Sequence, residues 1–301
     1  MIIYHYTKIE TLELILKYKT IRFNRLDQVD DEDEYIHGSG PKDTKLGPYT
    51  FVSCWTKDRK ENTDLWERYT QNKGVRIGLP EEMFDTYEFG DGLKSFFKNP
   101  MHYGYDYLVS PFNNPAKLYD IEYLDEQEDK IKELLIPAGE TGAIIETEKV
   151  GIYKKREWRE QKESRFKINV APFDATRLKL DFSGISDAAI DTLSLIEEKK
   201  VNVNDAVEVF ISMVLKRGLL NNYMCEMARL IGPSIANGYE IKEKYIDMPL
   251  KNEVLNQIEV MMGPHTTAED MRRVEELLNG FPNHSLIDSK LKRSSCGLKA
   301  I

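Results

Sequence analysis

The chain has 301 residues, of which 41% are hydrophobic and 31% charged, with a formal net charge of -9. That composition supports a real core in one large domain or two ordinary ones, and no stretch approaches the roughly 18 consecutive apolar residues of a membrane helix. The acidic balance argues against a protein that coats nucleic acid through phosphate contacts, while leaving room for a local basic groove. Cys54, Cys225 and Cys296 are odd in number and far apart. They make neither a disulfide framework nor a metal-ligand spacing, which suits a reducing cytoplasm. The opening MIIYHYTKIE has no basic region followed by an apolar run, so no secretory signal is read there.

Residues 1–7 read as a strand, with His5 and Thr7 on the face opposite Tyr4 and Tyr6. Residues 9–18 form an amphipathic helix whose buried side is Leu12, Leu14, Ile15 and Leu16. A second strand covers 20–26 and ends in an Arg25–Asp27 pair. Residues 27–43 form a loop closed by Gly and Pro turns. Its carboxylates (Asp27, Asp30, Asp31, Glu32, Asp33, Glu34) lack the glycine and spaced oxygens of an EF-hand, so a solvated acidic loop is the simpler reading than a Ca²⁺ or Mg²⁺ site.

Residues 49–55 are a strand entering the core, and 62–69 a helix capped by Asn62 or Thr63. Residues 74–79 are a strand stopped by Pro80. The segment 80–97 is polar and aromatic with breaks at Gly90 and Gly92, and 101–114, rich in Tyr and Pro, gives no clear element. A strand follows over 117–124, then a helix over 126–135 and a turn over 137–142. Residues 177–182 are a strand or extended link, and 186–200 and 204–217 are helices. The chain closes with strands over 245–250 and 258–262, a helix over 267–278 with a Thr267–Asp270 cap, and a strand over 284–288. Intermixed short strands and helices make the class α+β. One domain is expected, with 1–182 as its core, a helical insertion over 183–230, and a C-terminal strand–helix–strand unit over 231–301.

The most informative stretch is 154–168, KKREWREQKESRFKI. If its end is a strand, Gln161, Glu163 and Arg165 share one face, because strand side chains repeat every two residues. The plain reading is a charged edge strand that blocks edge pairing, with Arg165 in a structural ion pair. Arg76, between Gly74 and Gly78, could bind a phosphate. Cys54 with His5 could make a nucleophile pair, but no third orienting group is evident. The five histidines are scattered and match no zinc spacing, so no metal is expected. Gly263-Pro264-His265-Thr266-Thr267 could hold a phosphate ahead of a helix, although a turn and a cap is simpler. Trp55, Trp66 and Tyr69 read as core rather than as a cofactor stack.

Several segments together resemble a bacterial family known as domain of unknown function 2971. They are Tyr4-His5-Tyr6-Thr7 before a helix and Thr20-Ile21-Arg22-Phe23, then Phe51-Val52-Ser53-Cys54-Trp55, then Asp64-Leu65-Trp66 with Tyr69, and Gly74-Val75 with Ile77-Gly78. The spacing of Trp158, Gln161, Glu163 and Arg165, and Ile258 to Pro264 with Ser289, complete the resemblance over nearly the whole chain. The family's Asn-Asp-Pro-x-Glu is represented here only by Asp31 and Glu34, and its Glu-x-Glu by Gln161-x-Glu163.

The order of a first-strand His, a Ser-bearing strand and a later Gln-x-Glu is similar to the ADP-ribosyltransferases. The opening YHYT and helix look like the start of their DNA-modifying toxins. That resemblance implies an ADP-ribosyltransferase-like mixed β core that consumes NAD as substrate, with a nucleic acid or protein as acceptor, in a toxin or phage-defence setting. It places His5, with Tyr6 and Thr7, at the NAD ribose and amide region, Ser53 behind the nicotinamide pocket, Glu163 as the catalytic carboxylate and Gln161 where the acceptor is selected. His5 would donate to the ribose while neutral, and Tyr6 would stack on nicotinamide. The alternatives are an NAD glycohydrolase, a metal-dependent nuclease working through the acidic loop, and a non-enzymatic sensor or interaction module.

Overall fold

The β-forming start of the chain becomes a central strand of a large mixed sheet. The computed structural model describes residues 1–29, 36–37, 44–89, 92–98, 102–110, 114–125, 135–138, 142–173 and 229–291. Nine of the described strands build the sheet. They are β1 (Ile2–Thr7), β2 (Thr20–Arg25), β3 (Thr50–Thr56), β4 (Val75–Pro80), β5 (Tyr119–Asp120), β6 (Glu163–Asn169), β7 (Tyr245–Pro249), β8 (Glu259–Met262) and β9 (Ser285–Asp288). The order is β5-β6-β3-β1-β4-β8-β9, with β2 also on β3 and β7 on β2. Every pairing is antiparallel except β8 with β9. With only a few helices beside this sheet, the architecture is α+β.

The register sorts side chains onto two faces, since directly paired residues project to the same side. One face carries Ile3, Ile77, Val260, Phe51 and Ile168, which join the main core with Leu12, Ile15 and Leu16 of α1 (Ile9–Tyr18) and Val274 and Leu278 of α3 (Ala268–Leu278). Leu14, expected on the buried side of α1, is instead 48% exposed. The other face carries Tyr6 and Met261, covered by Leu65 and Trp66 of α2 (Thr63–Thr70). Tyr6 meets Trp66 edge-on, with ring centroids 4.8 Å apart. Just before β4, Gly74 passes so close to β1 that a Cβ would lie 2.2 Å from the Thr7 carbonyl oxygen, so only glycine fits there.

Local signals place most boundaries. Asn62 caps α2 by accepting from the Asp64 and Leu65 amides, and Thr267 and Asp270 form a reciprocal capping box on α3. Arg25 pairs with Asp27 at 2.7 Å. The stretch 117–124 is not one strand but β5 and a separate strand, Glu122–Leu124, which pairs in parallel with Tyr153–Lys155. The segment 80–97 contains a hairpin of Tyr87–Phe89 and Leu93–Ser95. The Tyr- and Pro-rich 101–114 contributes His102–Tyr103 and Tyr107–Val109 to a small sheet with Ala171–Pro172. Leu135 belongs to a strand, Leu135–Ala138, paired with Gly142–Ile145, so the expected turn over 137–142 falls across a hairpin. The rest of the helix expected over 126–135, the elements over 177–217 and most of the acidic run lie outside the described residues. So does the helical insertion apart from 229–230, which belong to a helical stretch over 229–236. Among the described residues no helix is long and apolar enough to cross a membrane.

Candidate active site

The site is built where β3 divides its partners. One edge of β3 pairs fully with β6, from Thr56 opposite Glu163 to Thr50 opposite Asn169. The other edge is shared. Tyr4 of β1 pairs with Thr56, whereas Asn24 and Arg25 of β2 pair with Val52 and Phe51. Between them β1 and β2 separate, with α1 running from one to the other, and Ser53, Cys54 and Trp55 face the fork.

His5 fills part of that fork. Its Nδ1 lies 2.7 Å from the Cys54 carbonyl oxygen. A carbonyl only accepts, so Nδ1 carries the proton and donates. Burial lowers the His5 pKa and outweighs the raising effect of the Cys54 carbonyl, leaving the imidazole neutral near pH 7. Its donor is therefore spent inside the protein, and the group left for a ligand is the Nε2 lone pair. This reverses the expectation of a His5 donor.

The fork opens into a cleft of about 950 Å³, within the roughly 300–1,000 Å³ of small-molecule sites. Its lining includes His5, Tyr6, Thr7, Ser53, Glu163 and Arg165. It also includes Lys8, Leu14 and Tyr18 around α1, Arg22, Tyr245 and Asp247 on β2 and β7, Arg68 and Tyr69 on α2, and Lys154 and Trp158. Five cationic side chains thus stand against two carboxylates in a chain of net charge -9. Arg22 pairs with Asp247 at 2.8 Å and stacks 3.5 Å from the Tyr245 ring centroid, and Arg68 lies 4.6 Å from that of Trp158. Tyr69, expected in the core, is 38% exposed on the cleft wall.

Glu163 sits at the cleft floor, buried at the first position of β6. The Lys154 ammonium is 2.8 Å from its Oε2, and Arg165 Nε donates to its Oε1. Burial alone would raise the Glu163 pKa. Arg165 and Lys154 overcome that and hold it at about 2. Both carboxylate oxygens thus accept from cationic protein donors. Burial and then Glu163 push the Cys54 thiol up, and His5 meets the Cys54 carbonyl rather than its sulfur, so no Cys–His nucleophile pair forms.

Gln161 is brought to Glu163 by a different route from the expected strand face. Residues Arg156–Gln161 form a 3-10 turn, and Lys162 turns the chain through a left-handed conformation, φ 47°, before β6 begins. The Lys154 ammonium bridges the two side chains, 2.9 Å from Gln161 Oε1. Gln161 Nε2 is buried with no partner among the described residues, and so is Trp158 Nε1. Gln161, Glu163, Tyr4, Tyr6, Leu65 and Tyr69 line a smaller pocket of about 50 Å³ beside the main cleft.

Of the remaining expected residues, Ser53 and Arg76 lie apart from this cluster, whereas Tyr6 borders it. Ser53 projects to the face opposite Glu163, where its hydroxyl accepts from the Trp55 indole at 3.0 Å. Arg76 is not on the cleft. Its guanidinium lies 4.4 Å from the Tyr4 ring centroid and donates to the Arg59 carbonyl. Tyr6 already meets Trp66 edge-on, and its hydroxyl accepts from the Asn62 amide. Lys154, Trp158, Arg68 and Arg22 were not singled out as cleft residues from the sequence. Only the Trp158–Gln161–Glu163 spacing hinted at part of the cluster. Among the described residues no group of three or more His, Cys, Asp or Glu is placed to hold a metal, and Asp30 to Glu34 lie outside those residues. No protein-family model, no curated protein and no solved structure matches this chain.

Proposed function

We propose that this chain is an NAD-consuming, ADP-ribosyltransferase-like enzyme of the cytoplasm, with the fold of that superfamily and membership of the family of unknown function 2971. The observation that carries the reading is Glu163, a buried carboxylate kept ionised at the floor of a nucleotide-sized cleft with cationic walls. Cleaving the nicotinamide–ribose bond leaves its electron pair on the departing nicotinamide and an oxocarbenium-like centre on the ribose. A fixed carboxylate at the 2′-hydroxyl stabilises that charge as it develops. The acceptor, a nucleic acid or protein nucleophile, then bonds to the same carbon and gives up its proton to solvent. Water in its place gives NAD hydrolysis. Lys154 and Arg165 hold Glu163 in place, His5 Nε2 accepts from a ribose hydroxyl, and Arg68 and Arg22 meet the pyrophosphate. The resemblance to ADP-ribosyltransferase toxins supports a toxin or phage-defence role.

Binding of NAD⁺ to the purified protein, followed by calorimetry, tests this reading. NAD⁺ is expected to bind, more weakly as salt rises because exposed cations contribute. Arg68→Ala is expected to weaken binding by roughly tenfold, the loss of about one charge-assisted contact. Absence of binding at any salt concentration contradicts the proposal.

A further inference from the structure

Gln161 has its amide orientation set by its neighbour. The Lys154 ammonium can only donate, so the atom facing it 2.9 Å away is the Gln161 oxygen. The amide nitrogen is thereby turned elsewhere, in a residue 4% exposed, with no partner among the described residues. A buried donor without an acceptor costs about 1–3 kcal/mol, so it marks a place where a partner is missing.

The pocket beside it suits a particular partner. Its volume of about 50 Å³ is several times the roughly 10–15 Å³ that one water requires. That is room for a small planar group, not for a nucleotide. Tyr4, Tyr6, Leu65 and Tyr69 make walls that are mostly aromatic, and Glu163 stands at one side. Aromatic walls suit a flat ring stacked or set edge-on against them, and the amide donor calls for a carbonyl oxygen on it. Trp158 and Gln161 are three apart in a 3-10 turn, where such residues eclipse, so both buried donors belong to one side of the turn.

We propose that this pocket holds the carboxamide-bearing pyridinium ring of the dinucleotide, and that Gln161 Nε2 donates to the carboxamide oxygen. This rests on the NAD reading above and changes the role expected of Gln161, from selecting the acceptor to holding the leaving group.

The test measures binding of free nicotinamide, 3-acetylpyridine and pyridine by calorimetry or ligand-observed NMR. Wild-type protein is expected to bind nicotinamide and 3-acetylpyridine alike, since both offer the carbonyl, and pyridine about tenfold more weakly, the worth of one hydrogen bond. Gln161→Met is expected to erase the difference between nicotinamide and pyridine. Gln161→Glu keeps an oxygen for Lys154, loses the donor, and is expected to behave the same way. Thermal unfolding selects the variants that remain folded. Equal binding of pyridine and nicotinamide by wild type, no binding of nicotinamide, or undiminished preference in both folded variants overturns the assignment. Cleavage of NAD⁺ without carbonyl discrimination sinks the pocket alone. Discrimination among the free rings with no NAD⁺ binding sinks the dinucleotide reading and leaves the pocket standing.

Discussion

Glu163 owes its ionisation to two cations that the sequence places nine residues before it and two after it. Burial opposes the charge, and the ammonium of Lys154 and guanidinium of Arg165 restore it. Its folded pKa, about 2, lies below the roughly 4.3 of an unfolded glutamate. The stabilisation is therefore present above pH ~4.3 and is lost as pH falls toward the folded value. Glu163→Gln leaves two buried cations underpaired, a loss of about 3–5 kcal/mol by analogy with broken buried pairs. The difference in Tm between wild type and Glu163→Gln is expected to be large at pH 7 and to narrow on acidification below pH ~4.3. A constant difference down to pH ~2 contradicts the assignment. A third buried basic side chain, Lys167, whose pKa burial lowers to about 7, donates to the carbonyls of Thr147, Glu148 and Val150 and holds that segment to β6. Lys167→Met strands three carbonyls and is expected to cost about 2–4 kcal/mol in denaturant unfolding.

Elements with local signals were legible. The apolar spacing of α1, the Asn62 cap and the Thr267–Asp270 box all mark their own boundaries, and the helices start where those residues stand. The 3-10 turn ahead of β6 was not legible. Its end depends on Lys162 at φ 47°, a conformation that lysine shows no sequence signal for. Lys154 was missed because the short strand Tyr153–Lys155 pairs with the distant Glu122–Leu124, and periodicity does not report a pairing across thirty positions. Leu14 fits the apolar stripe of α1 yet faces the cleft, since the helix spans a fork and has one flank without a sheet beneath it. The Asn62 cap also ties two elements together, because its Nδ2 donates to the Glu160 carbonyl at 2.5 Å in the 3-10 turn. Asn62→Ala is expected to lower stability by about 1–2 kcal/mol and, unlike an ordinary cap loss, to weaken nicotinamide binding by loosening Gln161. Unchanged ring binding in a destabilised variant shows that the two effects are separate.

At the scale of the whole molecule, the decisive feature is the shared edge of β3. Two strands joined by one helix pair with the same edge and then part, and the gap becomes a cleft that draws on both ends of the chain, with β7 and its Tyr245 and Asp247 beside β2. No local pattern encodes that fork, although the strands that make it were readable one by one. The charge balance acts at this scale too, since a chain of net charge -9 sets five cations against two carboxylates along this cleft, a local field that favours an anionic ligand there. The most direct measurement is release of nicotinamide from NAD⁺ by the purified protein, alone and with DNA, RNA or protein as acceptor. Wild type is compared with Glu163→Gln at a temperature where the variant is folded. Release is expected in at least one condition, falling by about 100-fold or more in the variant, as for loss of a preorganised electrostatic group. Silence in every condition, or equal release by the folded variant, contradicts an NAD-cleaving site centred on Glu163.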